Sequence, residues 1–469
     1  MITPRGRGQP LDGADCVGLI VGIMLGTGIF AVFPTLAAAR NPSVFMILLA
    51  WVVGTLVALC GAFCFAELTA RFPTDGGEYV FLREAFGRNG RSPLSFLFAW
   101  AQIMVIRPGS LVSLSIILAV NVGILWKAVL QATGRPAALW AEKEFVALVT
   151  LSTLVLFTVT SLAGVRVSKR VQNAVTALKV ICLAGLIGVG LVLGRGKAAH
   201  LTPLFLPPGA SVGGVIKNLG IALIPVMWVF GGWNEAPYIS ADMKDPVRGV
   251  PRALLVSLVG LGFLYTLINF VYILHLTPAG LASSWTFASD LMKMWFGTGG
   301  EVVMASVLIL STAGAVNGLT VTGARMTRAF AADMGMSSDR EGERPSYVRP
   351  LLLNLTISLG LAFAVDCAPE SIDKLLVFTA GVVWVFFALV AASLFVLRRR
   401  RPSEPSPYQL PFYPVTPIVF IVMCGYMLYG AWEYKPVETL CGLAALLMGL
   451  PAYWAGWRTL GLFRRSERA

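Results

Sequence analysis

The sequence predicts an all-α integral membrane protein of twelve spans, and three observations carry this. Hydrophobic residues make up 57% of the 469-residue chain and charged residues only 13%, about half the charged share of a soluble domain. Charge-free apolar runs recur along the whole length, each near the ~20 residues that a bilayer-crossing helix needs. Two of these runs are broken by glycine pairs at membrane depth, which hydrocarbon tolerates only where the freed backbone is buried in protein or lines a cavity.

In order, the spans are expected at about residues 15–39, 43–67, 93–121, 144–164, 172–194, 213–239, 252–276, 301–328, 350–367, 371–397, 411–432 and 437–457. Residues 1–14 and 458–469 are polar termini. The first fifteen residues are polar and the run that follows is too long for a cleaved signal, so span one reads as its own insertion signal. Between spans two and three, Pro73 and Gly76-Gly77 precede the amphipathic stretch Glu78–Phe86, which reads as a short interfacial helix. The segment 122–143 reads as a loop. The broken spans stand first among spans one to five (15–194) and first among spans six to ten (213–397). This placement suggests a structural repeat, with spans eleven and twelve (411–457) appended.

A net charge of +13 invites a nucleic-acid reading, but its distribution excludes one. With the N-terminus in the cytoplasm, 25 of the 37 Lys and Arg fall on that side and 10 on the other; Arg107 and Lys179 lie within spans. This is the positive-inside bias. Arg398-Arg399-Arg400-Arg401 reads as a stop-transfer cluster at the anionic leaflet. The seven cysteines show no disulfide framework. Cys60 and Cys64, one turn apart, read as small core residues rather than metal ligands, and no metal or cofactor is expected. The two histidines, His200 and His275, lie near span ends. No catalytic constellation appears, so an enzyme is not expected. No continuous polar lining supports a channel.

The chemistry concentrates at the breaks. In Gly22-Ile23-Met24-Leu25-Gly26-Thr27-Gly28-Ile29-Phe30, unwinding would free N–H groups that suit a carboxylate and carbonyls that suit an ammonium. Packing through small residues, Gly22-x-x-x-Gly26, explains the same glycines equally well. Span six tips the balance: Trp228-Val229-Phe230-Gly231-Gly232-Trp233-Asn234-Glu235 places two glycines between aromatics. Asn234 and Glu235 fit the first turn of a resumed half-helix as caps. Two such breaks in corresponding positions are the best sequence pointer to a transporter's site, and a zwitterionic α-amino acid would use both ends.

At these residues the chain resembles the amino acid–polyamine–organocation superfamily, and within it the L-type amino acid transporter light subunits and their bacterial relatives. The shared motifs are Gly26-Thr27-Gly28-Ile29-Phe30; Glu67-Leu68, Phe72-Pro73 and Gly76-Gly77-Glu78-Tyr79; Gly164-Val165-Arg166 and Gln172; Gly231 to Asn234; Asp245-Pro246-Val247-Arg248-Gly249-Val250-Pro251; and Asn317-Gly318 with Arg325. They follow in order over all twelve spans. The resemblance implies a five-plus-five inverted repeat in which spans one, two, six and seven rock against three, four, eight and nine. It implies that the N–H groups of Gly26, Thr27 and Gly28 hold the substrate carboxylate and that the carbonyls of Met24, Trp228, Val229 and Gly231 hold the ammonium. Phe230 belongs to the same substrate-binding segment, Trp228 is the aromatic gate, and Asn317 supports the site.

An intramembrane lysine costs about 2.5–3.5 kcal/mol, so Lys179 must be paired, snorkelling or functional. In the family a span-five lysine bridges the broken parts of spans one and eight where sodium-coupled relatives bind sodium, which implies sodium-independent transport; proton coupling stays open. Arg107, in Ile106-Arg107-Pro108-Gly109-Ser110, is too deep to snorkel and is expected to be structural or gating. The light subunits carry a cysteine between spans three and four that links a heavy glycoprotein; residues 122–143 contain none, so no disulfide-linked partner is expected. Gly231 stands where basic-substrate relatives often carry Asp, which tilts the reading toward neutral amino acids. The expected function is sodium-independent exchange of neutral amino acids by alternating access at the plasma membrane, with both termini cytoplasmic. Proton-coupled or cationic amino acid (or polyamine) symport and amino acid sensing are the alternatives.

Overall fold

A computed structural model describes residues 12–26, 28–30, 43–74, 76–87, 92–133, 142–162, 169–192, 196–202, 211–276, 280–281, 284, 286–334, 347–404 and 406–459. Among them every regular element is a helix. Among the described residues eleven helical segments are long and apolar enough to cross a membrane; the shorter apolar helix Val348–Ala364 stands where span nine is expected.

Local chemistry sets the ends and interruptions. Span one opens on a reciprocal capping box: Asp15 N–H donates to Asp12 Oδ1, and Asp12 N–H to Asp15 Oδ2, both at 2.9 Å, which satisfies two orphan donors. The helix Gly13–Met24 ends at Leu25, deep in the apolar core, and a 3-10 turn Gly28–Phe30 follows. The continuation to residue 39 lies outside the described residues, as do Gly164-Val165-Arg166 and the Gln172 side chain.

Span six runs as Val212–Val229 and stops at Phe230. Gly232 has φ +113°, a conformation that glycine adopts without strain, and the chain resumes as the 3-10 helix Trp233–Asp242. Asn234 and Glu235 are therefore not caps of a resumed α-helix. The Asn234 carbonyl oxygen instead accepts from Gly232 N–H at 3.2 Å, and Glu235 pairs with Arg107.

Span three carries a π turn, Gln102–Ile106, between Pro93–Ala101 and Arg107–Ala132. Pro108 brings no N–H, and its ring crowds the carbonyl one turn back; the wider turn, closed by Arg107 N–H to Gln102 O, absorbs both effects. This helix reaches Ala132, so most of the expected 122–143 loop that is described is helical. Span eight is longer than expected too. Helix Phe287–Asp333 bends at Gly297 (φ +65°), so a short helix precedes the crossing predicted from residue 301.

Glu78–Phe86 forms the expected short helix, and its apolar face is covered by protein. Glu78, Tyr79, Val80, Phe81 and Leu82 are all buried, because the helix wedges against spans three and ten. Span seven packs along spans one and two, and span two along span six; span three packs along spans four, eight and nine.

The basic tract after span ten has partners within the protein. Arg398 Nε and Nη2 donate to the two carboxylate oxygens of Glu67 at 2.9 and 2.6 Å. Leu410 N–H donates to the same carboxylate at 2.9 Å, and the Arg398 guanidinium lies 3.8 Å over the Tyr413 ring. Arg401 pairs with Glu84 and Arg400 donates to the Ala85 carbonyl. Three of the four arginines are thus committed to protein partners rather than to lipid. Glu67, at the end of span two, clamps the segment between spans ten and eleven. Glu67→Ala deprives Arg398 and Leu410 of their shared acceptor. Losing charged hydrogen bonds of this kind costs about 1.5–3 kcal/mol, so the variant unfolds at a lower temperature in detergent; an unchanged midpoint would show that the segment docks without this clamp.

Candidate functional site

The two breaks face each other. A Cβ placed on Gly28 would stand 3.0 Å from the Trp228 ring, and one on Gly232 would stand 2.7 Å from Ile23 Cγ2. Such approaches are open only to residues without a side chain. Beside this crossing is a cavity of about 150 Å³ walled by spans one, three, six, eight and ten, a volume able to hold a benzene-sized group.

Of the residues expected at the site, Met24, Gly26, Gly28, Trp228, Val229, Gly231 and Arg107 line this cavity. Thr27 lies outside the described residues. Phe230 is not part of the wall: its ring is fully buried behind it, packed against Tyr265 and Trp51 with centroids 5.4 and 6.0 Å away. A side chain at that position follows the last helical turn away from the break. Asn317 is half-buried on span eight and does not line the cavity; Ala315 and Leu319 of the same helix do.

Lys179 neither snorkels nor reaches the cavity. It is buried, and its ammonium donates to Gly22 O at 3.0 Å and to Ser311 O at 3.1 Å, which ties spans five, one and eight together. Two further donors serve the same helix end. The Tyr265 hydroxyl donates to Met24 O at 2.8 Å and Ser311 Oγ to Leu25 O at 2.9 Å. The Met24 carbonyl, expected to serve a ligand, therefore already has an internal donor and keeps one lone pair. The Trp228 carbonyl likewise accepts from Gly231 N–H at 2.9 Å.

Arg107 is the charged centre of the cavity wall. Its Nη2 lies 3.0 Å from both carboxylate oxygens of Glu235, its Nη1 donates to Thr322 Oγ1 at 3.1 Å, and the guanidinium lies 5.7 Å over the Tyr238 ring. Arginine and glutamate are both buried, so the pair removes the cost of two isolated intramembrane charges. Asn234 Nδ2 then donates to Glu78 Oε1 at 3.3 Å, bringing the short helix under the site. Burial pushes the Glu78 carboxyl up to about 7, with the Glu235 charge adding in the same direction.

Sequence reasoning passed over Glu235 as a partner of Arg107, gave Glu78 no place at the site, and passed over Gln102, Tyr265 and Ser311. For Glu235 a signal existed: an acid and a base in the same stretch of membrane demand each other. Tyr265 and Ser311 carry no such mark. Among the described residues, no three His, Cys, Asp or Glu side chains gather as metal ligands would.

Comparison with known proteins decides the family. Residues 12–440 match the amino acid permease family. The chain belongs to that family. It is similar to Asc-type amino acid transporter 1 of Mus musculus (27% identical over 462 residues, 96% of this chain and 80% of that protein). It is also similar to large neutral amino acids transporter small subunit 2 of Homo sapiens (28% over 455 residues, 94% and 78%). A third relative is b(0,+)-type amino acid transporter 1 of Mus musculus (28% over 428 residues, 89% and 82%). Membership places the chain among multi-pass membrane transporters rather than enzymes, in line with its helical architecture.

The raised carboxyl of Glu78 has a consequence for stability. Its folded value lies above its unfolded one, so its contribution is full below about pH 4.5 and is lost as pH rises towards 7. Glu78→Gln removes this component: the wild type gains thermal stability relative to the variant on going from pH 8 to pH 5. Parallel pH profiles for the two proteins would refute the assignment.

Proposed function

We infer that this protein carries α-amino acids across the membrane by alternating access, as a sodium-independent exchanger of neutral amino acids. The observation that carries the reading is the crossing of two broken spans beside one cavity. Backbone donors at Gly26, Thr27 and Gly28 suit the substrate carboxylate. On the facing strand of backbone, the carbonyls of Val229 and Gly231 suit its ammonium, and Trp228 closes over the bound molecule. The ammonium of Lys179 fills the space between the Gly22 and Ser311 carbonyls, a pairing that leaves no role for a sodium ion there. The relative whose name specifies large neutral amino acids supports the neutral class.

A five-plus-five inverted repeat is supported by one broken span at the head of each half and by the packing of spans two and seven with one, and of four and nine with three. The bias of Lys and Arg supports cytoplasmic termini, and the plasma membrane is the location proposed for this transport. One relative is named a small subunit; the absence of cysteine in residues 122–143 supports a chain that works without a disulfide-linked partner.

Purified protein in liposomes tests this. Labelled alanine or leucine is taken up faster into vesicles preloaded with unlabelled amino acid than into empty ones, and replacing external sodium by choline changes nothing. Equal uptake into both vesicles, driven by a pH gradient, would replace exchange by proton symport; loss of uptake without sodium would overturn the reading of Lys179. Gly26→Leu fills the backbone site and abolishes binding while the protein still inserts. Unchanged affinity would mean that the glycine serves packing alone.

A further inference from the structure

We propose that the buried Arg107–Glu235 pair sets the charge class of the substrate, by presenting the side-chain end of the cavity with a cation and an anion that already satisfy each other. This rests on the reading of the cavity as the substrate site.

The geometry supports a filter rather than a binding group. Both residues line the cavity. The Glu235 carboxylate receives Arg107 Nη2 at 3.0 Å on each oxygen, and Thr322 occupies the other terminal nitrogen. The Tyr238 ring backs the guanidinium face, and Arg107 stands at the end of the π turn of span three, its N–H bonded to Gln102 O. The guanidinium is thus held from several sides, and among the described residues Glu235 is the carboxylate paired with it directly, with Glu78 the next acid, reached through Asn234. Around the pair the wall is mainly apolar, with Ile106, Leu114, Leu319 and Trp384. A charged substrate side chain entering this space loses its hydration. A carboxylate would have to displace Glu235 from Arg107, and an ammonium would have to displace Arg107 from Glu235. Neither exchange adds a new ion pair, so neither recovers the lost hydration. An uncharged side chain needs no such exchange.

Changing the balance by one unit should therefore change the class admitted. Glu235→Gln leaves Arg107 with a neutral acceptor and Thr322, and turns the same fixed guanidinium into a site for an anion, with the planar donor geometry that suits a carboxylate. Ser110→Asp keeps the pair intact and adds one negative charge to the cavity wall from the next turn of span three. The two variants push in opposite directions.

The test compares wild type, Glu235→Gln and Ser110→Asp as full-length protein in liposomes, with labelled L-alanine, L-glutamate and L-lysine. Wild type takes up alanine and discriminates against both charged amino acids. In Glu235→Gln the glutamate-to-alanine uptake ratio rises at least tenfold, and in Ser110→Asp the lysine-to-alanine ratio does so. Glutamate also raises the unfolding temperature of detergent-solubilised Glu235→Gln and not that of wild type. An inserted, monodisperse Glu235→Gln with the wild-type ratio and no glutamate stabilisation would overturn the proposal. If that variant does not fold, Ser110→Asp decides: a lysine ratio equal to wild type overturns it. Wild type that takes up no amino acid would fail earlier, at the reading of the site itself. Wild type that moves alanine, with variants that keep its selectivity, sinks the charge filter alone.

Discussion

The structure depends on one constraint: a backbone group freed inside an apolar core must find a partner. The end of the helix Gly13–Met24 frees its last carbonyls far from water. Three of them are answered by side chains from three other spans: Gly22 by Lys179, Met24 by Tyr265 and Leu25 by Ser311. The break is therefore an assembled feature, held open from outside. Its shape is set before any ligand arrives, so little ordering cost is left to binding. Lys179 and Ser311 also join to each other through the Ser311 carbonyl, so spans one, five and eight share one polar node.

The same principle governs charge. An isolated ion at this depth is costly, and the described structure answers Arg107 with Glu235 and Lys179 with two carbonyls. These answers are also the ties between spans. Arg107 on span three holds Glu235, beyond the break of span six, and Thr322 on span eight. Asn234 holds the helix Glu78–Phe86, whose Arg83 in turn pairs with Asp333 at the end of span eight. Groups that line the cavity and groups that fasten span six to its neighbours are thus the same or adjacent. A ligand that touches this wall would act directly on the contacts that join these spans.

Much of this was legible one residue at a time. Gly26, Gly28, Gly231 and Gly232 stood out because glycine pairs have no ordinary place in an apolar run. Lys179 and Arg107 stood out because charge has none. The short helix at Glu78–Phe86 was visible in its amphipathic pattern, but the pattern reports one apolar face and does not say whether lipid or protein covers it. For Arg398–Arg401 the pattern left the protein partners unnamed. A basic tract beside a span satisfies the inside rule whether its partners are phosphates or Glu67 and Glu84. Phe230 was placed at the site by its neighbours in sequence, and a helix turns such neighbours to different sides.

The sequence by itself determined the class of molecule, the approximate positions of the crossings and the two points where helices must break, because each follows from local composition against a fixed membrane thickness. Only the tertiary structure decided which groups meet at those breaks. Glu235 reaches Arg107 across 128 residues of chain, and Lys179 reaches Ser311 across 132. No periodicity records such separations. They arise when apolar faces pack and the few polar groups left inside have only one another to satisfy them.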